Sequence, residues 1–208
     1  SAWIDGFKPY AEKEYNKVID KALHPTDGPL LMGEVIRRVS EAAHNKGIMV
    51  TDVGQNQLMA CRYFKFTQNR SVVTSGGLGT MGYGLPAAIG AKIGMPDREV
   101  CLFVGDGGLQ MTSQELGTMY QSEVGVKIVL MNNGYLGMVR QWQELFYDRR
   151  YSFTELVNPD FELLAKANHL EYRYVDKHED LDDAVKEMRN AKGGFLLEVR
   201  VQKEENVF

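Results

Sequence analysis

The chain has 208 residues and a formal net charge of −4, with 44% hydrophobic and 25% charged residues. These proportions are typical of one globular domain that is large enough to bury a sizeable core. The acidic balance leaves no cluster of Lys and Arg to neutralise phosphates, and no apolar run is long enough to span a bilayer, so we expect neither nucleic acid nor a membrane as a partner. The two cysteines, Cys61 and Cys101, are too few for a disulfide framework, and we expect a cytoplasmic location.

The first part of the chain differs in character from the rest. Residues 1–28 are polar and charged with a weakly helical apolar pattern, and we expect them to form a linker or docking segment ahead of a domain at residues 29–208. Because the first residue is Ser1 rather than Met, we expect the chain to be a piece of a longer protein. Fourteen of the 21 glycines lie within residues 76–137, which indicates a backbone that must approach a ligand closely.

Apolar spacing predicts alternating helices and strands along the domain. Short apolar runs predict strands at residues 48–53, 71–74, 100–105, 127–131, 172–175 and 195–201. Apolar residues at helical spacing predict helices at residues 30–46, 85–93, 113–121, 136–146, 161–168 and 181–190. Repeated βαβ units of this kind predict an α/β fold, with a six-stranded, mostly parallel sheet covered by helices on both faces.

Two polar side chains follow neighbouring strands at the point where ligands bind in such a fold. Asp106 follows the third predicted strand and Asn133 the fourth, each in a glycine-rich turn that leads to a helix. A carboxylate and an amide oxygen suit Mg²⁺, which shares its ligation with phosphates, and helix starts attract anions. Asp-Gly and Asn-Gly are also the dipeptides of ordinary turns. The separation of 27 residues, one βαβ step, favours a metal–diphosphate site.

Longer motifs carry a resemblance that covers residues 30–208. The run Gly105-Asp106-Gly107, followed after 24 residues by Asn132-Asn133, is the pattern of thiamine-diphosphate enzymes. The runs TSGGLGTMGYGLPAAIGA at residues 74–91 and LGMVRQWQ at residues 136–143 closely resemble the catalytic subunit of acetohydroxyacid synthase, also called acetolactate synthase. The resemblance implies that residues 29–208 are the carboxyl-terminal, diphosphate-binding domain of that family.

The resemblance also assigns roles to residues of this sequence. It implies that the side chains of Asp106 and Asn133, with the main-chain carbonyl of Tyr135, hold Mg²⁺ on the diphosphate of thiamine diphosphate. It implies that Met81 supports the bent cofactor. The implied cofactor-binding residues are Val53, Gly54, Gln55, Asn56, Gly79, Met81, Asp106, Gly107, Gly108, Asn133, Tyr135, Leu136, Gly137 and Met138.

The predicted helix at residues 136–146 supports two interpretations of Trp142. Its spacing with Val139 and Phe146 by itself predicts a core-facing stripe. The resemblance implies instead that Met138, Val139 and Trp142 border the substrate pocket, and that Trp142 favours 2-ketobutyrate as the second substrate.

The sequence departs from the family in the turn after the first strand. The family commonly has His where this chain has Asn56, and Met-Trp where it has Leu58-Met59. Asn donates a hydrogen bond to a phosphate but carries no charge. We therefore expect the affinity for the diphosphate, or its pH dependence, to differ from that of the family.

The implied enzyme decarboxylates pyruvate and joins the remaining two-carbon unit to a second 2-oxo acid. The products are 2-acetolactate or 2-aceto-2-hydroxybutyrate, which lead to isoleucine and valine. The family places an activating glutamate on an amino-terminal domain of the neighbouring subunit and FAD on a middle domain. No complete catalytic set lies in this chain, so we expect it to be inactive alone. The implied partners are the substrates pyruvate and 2-ketobutyrate, further copies in a homodimer or tetramer, and a small regulatory subunit.

Three alternatives stay open on the sequence. Other thiamine-diphosphate enzymes, such as pyruvate oxidase, glyoxylate carboligase or a 2-oxo acid decarboxylase, share the metal motif. A non-catalytic binding module would retain the fold without the activity. A generic nucleotide-binding domain has little support, because the sequence has neither a Gly-x-Gly-x-x-Gly turn after the first strand nor a P-loop.

Overall fold

The computed structural model describes residues 1–25 and 27–207, so Thr26 of the expected linker and Phe208 of the expected domain lie outside the described residues. One sheet forms the centre of the fold. Its strands are β1 (Ile48–Thr51), β2 (Val72–Val73), β3 (Val100–Gly105), β4 (Lys127–Asn132), β5 (Glu171–Val175) and β6 (Phe195–Arg200). Their order is β2-β1-β3-β4-β6-β5 and every pair is parallel, which confirms the predicted α/β sheet.

Helices cover both faces of this sheet and also form the start of the chain. They are α1 (Ala2–Asp5), α2 (Lys8–Glu14), a π-helical turn (Tyr15–Ile19), α3 (Asp20–Leu23), α4 (Met32–Ala42), α5 (Gln55–Tyr63), α6 (Gly84–Gly94), α7 (Asp106–Met111), α8 (Glu115–Gln121), α9 (Gly137–Phe146), α10 (Phe161–Ala167) and α11 (His178–Asn190). Across the described residues, none of the helices has the length and apolar character needed to cross a membrane.

The four central strands, β1, β3, β4 and β6, are mostly apolar because both of their faces are buried, whereas the edge strands β2 and β5 are largely exposed or half-buried. Successive side chains of a strand point to opposite faces. Cys101 and Phe103 of β3 therefore join a core with α4, α5 and α11, whereas Leu102 and Val104 join a second core with α6, α8 and α10. This burial explains why the central strands appear in the sequence as continuous apolar runs rather than alternating ones.

The strand order reverses next to β1. The chain places β2 on one side of β1 and then returns to place β3 on the other. Such a reversal opens a crevice at the carboxyl ends of the central strands. β3 and β4 pair in register from Cys101 with Lys127 to Gly105 with Met131. Asp106 and Asn133, which follow these strands, therefore emerge at the same edge of the sheet.

The helices at the strand ends differ from their predicted bounds. α5 begins at Gln55, where the sequence analysis has only a turn, and α7 begins at Asp106, ahead of the helix predicted at residues 113–121. Three polar residues, Gln55, Asn56 and Gln57, begin α5 and hide the apolar spacing on which the prediction depends. Gly54 precedes them with a φ of 140°, which residues with a side chain rarely adopt.

The amino-terminal segment is helical and only loosely packed. Ala22 of α3 is buried against the core, whereas Trp3, Phe7 and Tyr10 have exposed side chains. The chain first joins the sheet at Leu30, which is fully buried and forms a parallel bridge with Val201. A linker or docking role for residues 1–28 stays a prediction.

Candidate functional site

A cavity of about 400 Å³ lies at the carboxyl ends of β1, β3 and β4. The structure brings together around it all the residues that the sequence analysis assigned to the cofactor, the metal or the substrate pocket: Val53, Gly54, Gln55, Asn56, Gly79, Met81, Asp106, Gly107, Gly108, Asn133, Tyr135, Leu136, Gly137, Met138, Val139 and Trp142. Five further lining residues had no assignment: Met32, Gln57, Leu58, Gly105 and Met131.

Asp106 is the buried carboxylate of the cavity, held at the start of α7. Its Oδ2 accepts hydrogen bonds from the backbone N of Gly134 at 2.8 Å and from Asn158 Nδ2 at 2.7 Å, and its Oδ1 accepts from Gly107 N at 3.1 Å. Burial raises the pKa of Asp106, and these hydrogen bonds oppose the rise. A carboxylate that has lost its water in this way gains from a bound cation.

Asn133 and Tyr135, in the turn after β4, present oxygen atoms beside Asp106. Asn133 Oδ1 accepts from Tyr135 N at 3.0 Å. Tyr135 lies opposite Glu155 in an antiparallel bridge, which is closed by bonds from Leu136 N to Thr154 O and from Leu156 N to Gly134 O. In such a bridge the carbonyl of the central residue points away from the partner segment. The Tyr135 carbonyl is therefore left free by this pairing.

This donor set fits a Mg²⁺–diphosphate group. Mg²⁺ prefers oxygen ligands, and the site offers one carboxylate, one amide oxygen and one main-chain carbonyl. Among the described residues no three His, Cys, Asp or Glu side chains form a metal cluster, so a cation here depends on this mixed oxygen set. The two glycines of α7 lie so close to neighbouring side chains that a larger residue does not fit: a Cβ at Gly107 would lie 2.6 Å from Leu136 Cδ2, and one at Gly108 would overlap Asp52 Oδ1.

The turn after β1 directs its side-chain donors into the protein. Asn56 Nδ2 donates to the carbonyl of Phe103 at 3.0 Å. Gln55 Nε2 donates to Gln141 Oε1 at 3.0 Å and to the carbonyl of Glu205 at 2.6 Å. In this arrangement the Asn56 amide holds the carbonyl of Phe103 in β3 with one of its two side-chain N–H groups, and its second N–H group is not used by this bond.

Asp52, a buried acid with no role assigned from the sequence, holds the glycine-rich turn that contains Gly79 and Met81. Asp52 is 1% exposed, and its two oxygens accept from Gly82 N at 3.1 Å and from Gly84 N at 2.8 Å. The signal in the sequence was an acidic residue within an otherwise apolar strand end. Asp52 thereby fixes the backbone at Gly82 and Gly84, directly after Met81, which the resemblance implies supports the cofactor.

Trp142 lies at the rim of the cavity rather than in the core. Its side chain is 57% exposed, and its ring packs edge-to-face on Phe146 with centroids 5.5 Å apart. With Met138 and Val139 it also lines an adjoining hollow of about 840 Å³ that extends to Arg150. The prediction of a core-facing stripe is therefore wrong for Trp142.

The fold and this site define a thiamine-diphosphate-binding domain. The model of the family described as "Thiamine pyrophosphate enzyme, C-terminal TPP binding domain" matches residues 52–199, and the chain belongs to this family. Within it, the chain is 45% identical over 175 residues to the acetolactate synthase large subunit of Lactococcus lactis, covering 84% of this chain and 30% of the relative.

Two further relatives carry the same name. The chain is 41% identical over 189 residues to the acetolactate synthase isozyme 2 large subunit of Escherichia coli, covering 89% of this chain and 34% of the relative. It is 46% identical over 172 residues to the mitochondrial acetolactate synthase catalytic subunit of Saccharomyces cerevisiae, covering 81% of this chain and 25% of the relative. The chain thus spans about a third or less of these relatives.

A solved structure shares the fold. The thiamine diphosphate-dependent 4-hydroxybenzoylformate decarboxylase of Rhodococcus jostii RHA1 superposes with a TM-score of 0.80 and 25% sequence identity. The match covers 88% of this chain and 34% of that one.

Proposed function

We propose that the chain is the carboxyl-terminal, thiamine diphosphate-binding domain of an acetolactate synthase large subunit. The observation that carries the proposal is the cavity where Asp106, Asn133 and Tyr135 meet at the ends of β3 and β4. Identities of 41–46% to large subunits of that name support this choice among thiamine-diphosphate enzymes.

The residues of the chain bind and orient the cofactor. When bound, thiamine diphosphate supplies a thiazolium ring that takes up the electron pair left when a 2-oxo acid loses carbon dioxide. The side chains of Asp106 and Asn133 and the carbonyl of Tyr135 hold Mg²⁺ against the diphosphate. The backbone N–H of Gly108 donates to the same phosphates, whereas that of Gly107 is engaged by Asp106 Oδ1.

The apolar rim shapes the place where substrates react. Met138, Val139 and Trp142 place apolar surface beside the cavity and leave space for small 2-oxo acids. We propose pyruvate as the first substrate and pyruvate or 2-ketobutyrate as the second, with 2-acetolactate or 2-aceto-2-hydroxybutyrate as the product. These products belong to the synthesis of valine and isoleucine.

The remaining parts of the enzyme are proposed on the family resemblance. They are an activating glutamate from the neighbouring subunit, FAD on a middle domain, assembly into a dimer or tetramer, and a small regulatory subunit. Residues 1–28, with the exposed Trp3 and Phe7, are proposed to dock or link to those parts. The low cysteine content supports a cytoplasmic location, whereas the yeast relative is mitochondrial by name.

Replacing the candidate metal ligand tests the binding role. We expect the chain to bind thiamine diphosphate in the presence of Mg²⁺, measured by isothermal titration calorimetry. Asp106→Ala and Asp106→Asn should weaken this binding by at least about tenfold while circular dichroism stays that of the wild type. Asp97→Ala, which removes an exposed carboxylate in a turn, serves as the control. Wild-type affinity in both Asp106 variants would refute the metal assignment.

Product analysis tests the proposed reaction. The 208-residue chain should form no acetolactate from pyruvate, and a longer protein that contains it should do so. The similarity to a decarboxylase structure favours one alternative, a 2-oxo acid decarboxylase, which would release acetaldehyde from pyruvate instead. Adding 2-ketobutyrate to the longer protein should yield 2-aceto-2-hydroxybutyrate. Formation of acetolactate by the isolated chain would refute the claim that other domains are required.

A further inference from the structure

Asn158 lies in the irregular stretch between α9 and α10, outside every set of residues assigned above. Its Nδ2 donates to Asp106 Oδ2 at 2.7 Å and to Asn132 Oδ1 at 3.1 Å. Gln110 Nε2 donates to Asn158 Oδ1 at 3.0 Å. Because both ends of the amide are engaged, its orientation is fixed and its NH₂ group is directed at the carboxylate.

Asn132, the second acceptor of this amide, is itself held by a buried network. Its Oδ1 also accepts from Arg200 Nη1 at 3.0 Å, and its Nδ2 donates to Glu198 Oε1 at 2.6 Å. The hydroxyl of Tyr172 donates to the other oxygen of Glu198 at 2.6 Å. Hydrogen bonds thus run from Asp106 through Asn158 across β4 and β6 to β5.

The backbone of the same segment holds the other candidate ligands. Leu136 N donates to Thr154 O at 2.7 Å, and Leu156 N donates to Gly134 O at 2.8 Å. These bonds flank Tyr135, and Asn158 follows only two residues after Leu156. One short segment therefore contacts both the Asp106 side chain and the turn after β4.

We propose that Asn158 is a positioning residue that orients the Asp106 carboxylate for the divalent cation of the diphosphate site. This rests on the proposed metal–diphosphate function. Asn158 and Gly134 N together hold Oδ2, so the carboxylate cannot rotate about its Cβ–Cγ bond without losing both hydrogen bonds. Partners that orient a ligand in this way typically contribute 10- to 100-fold in metal affinity.

The test compares thiamine diphosphate affinity with and without metal. The dissociation constant is measured by isothermal titration calorimetry in saturating Mg²⁺ and in EDTA, for the wild-type chain and for Asn158→Ala. The ratio compared is the dissociation constant in EDTA divided by that in Mg²⁺. We expect this ratio to fall at least about tenfold in Asn158→Ala, with the constant in EDTA unchanged. Val157→Ala is the matched control, because Val157 adjoins Asn158 and is 99% exposed. It should keep the wild-type ratio.

The outcomes separate this inference from the proposed function. An unchanged ratio in Asn158→Ala, or an equal loss of affinity with and without Mg²⁺, overturns the positioning role and leaves the metal site standing. A wild-type chain whose affinity does not respond to Mg²⁺ overturns both. Should Asn158→Ala fail to fold, Gln110→Ala decides, because Gln110 is exposed on α7 and holds the other end of the amide. It should lower the ratio in the same direction by a smaller factor, and an unchanged ratio refutes the proposal.

Discussion

Replacing Glu205 by glutamine should remove a decline in stability that we expect between pH 5 and pH 8. Glu205 follows β6, and its Oε2 accepts a hydrogen bond from Met32 N at 3.0 Å, at the start of α4. Burial raises the pKa of Glu205 to about 7, and the hydrogen bond from Met32 only partly opposes the rise. Glutamine keeps an oxygen acceptor for Met32 N and carries no charge, so it imitates the protonated acid.

The size of the effect follows from the two pKa values. Glu205 titrates near 4.5 in the unfolded chain and near 7 in the folded one, so the folded state binds more protons between these values. Its contribution is complete below pH 4.5 and is lost as pH rises through 7. At about 1.4 kcal/mol per pKa unit, the loss reaches about 3 kcal/mol at pH 8. This is an upper bound, because Lys17, Lys21 and Arg62 line the same crevice and favour the ionised acid.

Urea unfolding at pH 5, 6, 7 and 8 measures this difference. We expect Glu205→Gln to lie within about 1 kcal/mol of the wild-type free energy of unfolding at pH 5 and to exceed it by about 1–3 kcal/mol at pH 8. Glu204→Gln is the matched control, since it removes the same charge from an exposed neighbouring side chain. Its pH curve should run parallel to that of the wild type.

Parallel curves for the wild type and Glu205→Gln would refute this reasoning. They would mean that the carboxylate ionises in the folded protein as easily as in the unfolded chain. A Glu204→Gln curve that converged with that of Glu205→Gln would likewise show that net charge, rather than burial at α4, sets the pH dependence.

The remaining predictions concern close packing and exposure. Gly108→Ala should lower the free energy of unfolding by about 1–3 kcal/mol, because the new Cβ overlaps the Asp52 carboxylate. Gly90→Ala in α6 should raise the free energy of unfolding by about 0.5–1 kcal/mol, since a Cβ there meets nothing within 4 Å. Urea unfolding of both variants separates the steric effect from the conformational one. A Gly108→Ala variant more stable than the wild type would contradict the overlap with Asp52. Trp142→Leu should change the free energy of unfolding by less than about 0.5 kcal/mol, because the side chain is 57% exposed. A loss above about 1 kcal/mol, measured in the same way, would restore the core interpretation.

Several long-range features were accessible from local pattern alone. The apolar runs placed the central strands because a parallel sheet buries both faces of each strand. Asp106 and Asn133 could be placed together because each follows a strand, and parallel strands end at one edge. The helix α5 was missed because its first residues, Gln55 and Asn56, are polar and bury their amides against Gln141 and Phe103.

By itself, the sequence determined the α/β class, the edge of the sheet that carries the site, and the family of the chain, because these depend on spacing along the chain and on contiguous motifs. Only the tertiary structure decided the contacts that orient and perturb the site. Asn158 reaches Asp106 across 52 residues and the Gln55 amide reaches Glu205 across 150, separations at which local spacing carries no information. The burial that raises the pKa of Glu205 and the exposure of Trp142 depend likewise on how distant elements pack, which no local pattern encodes.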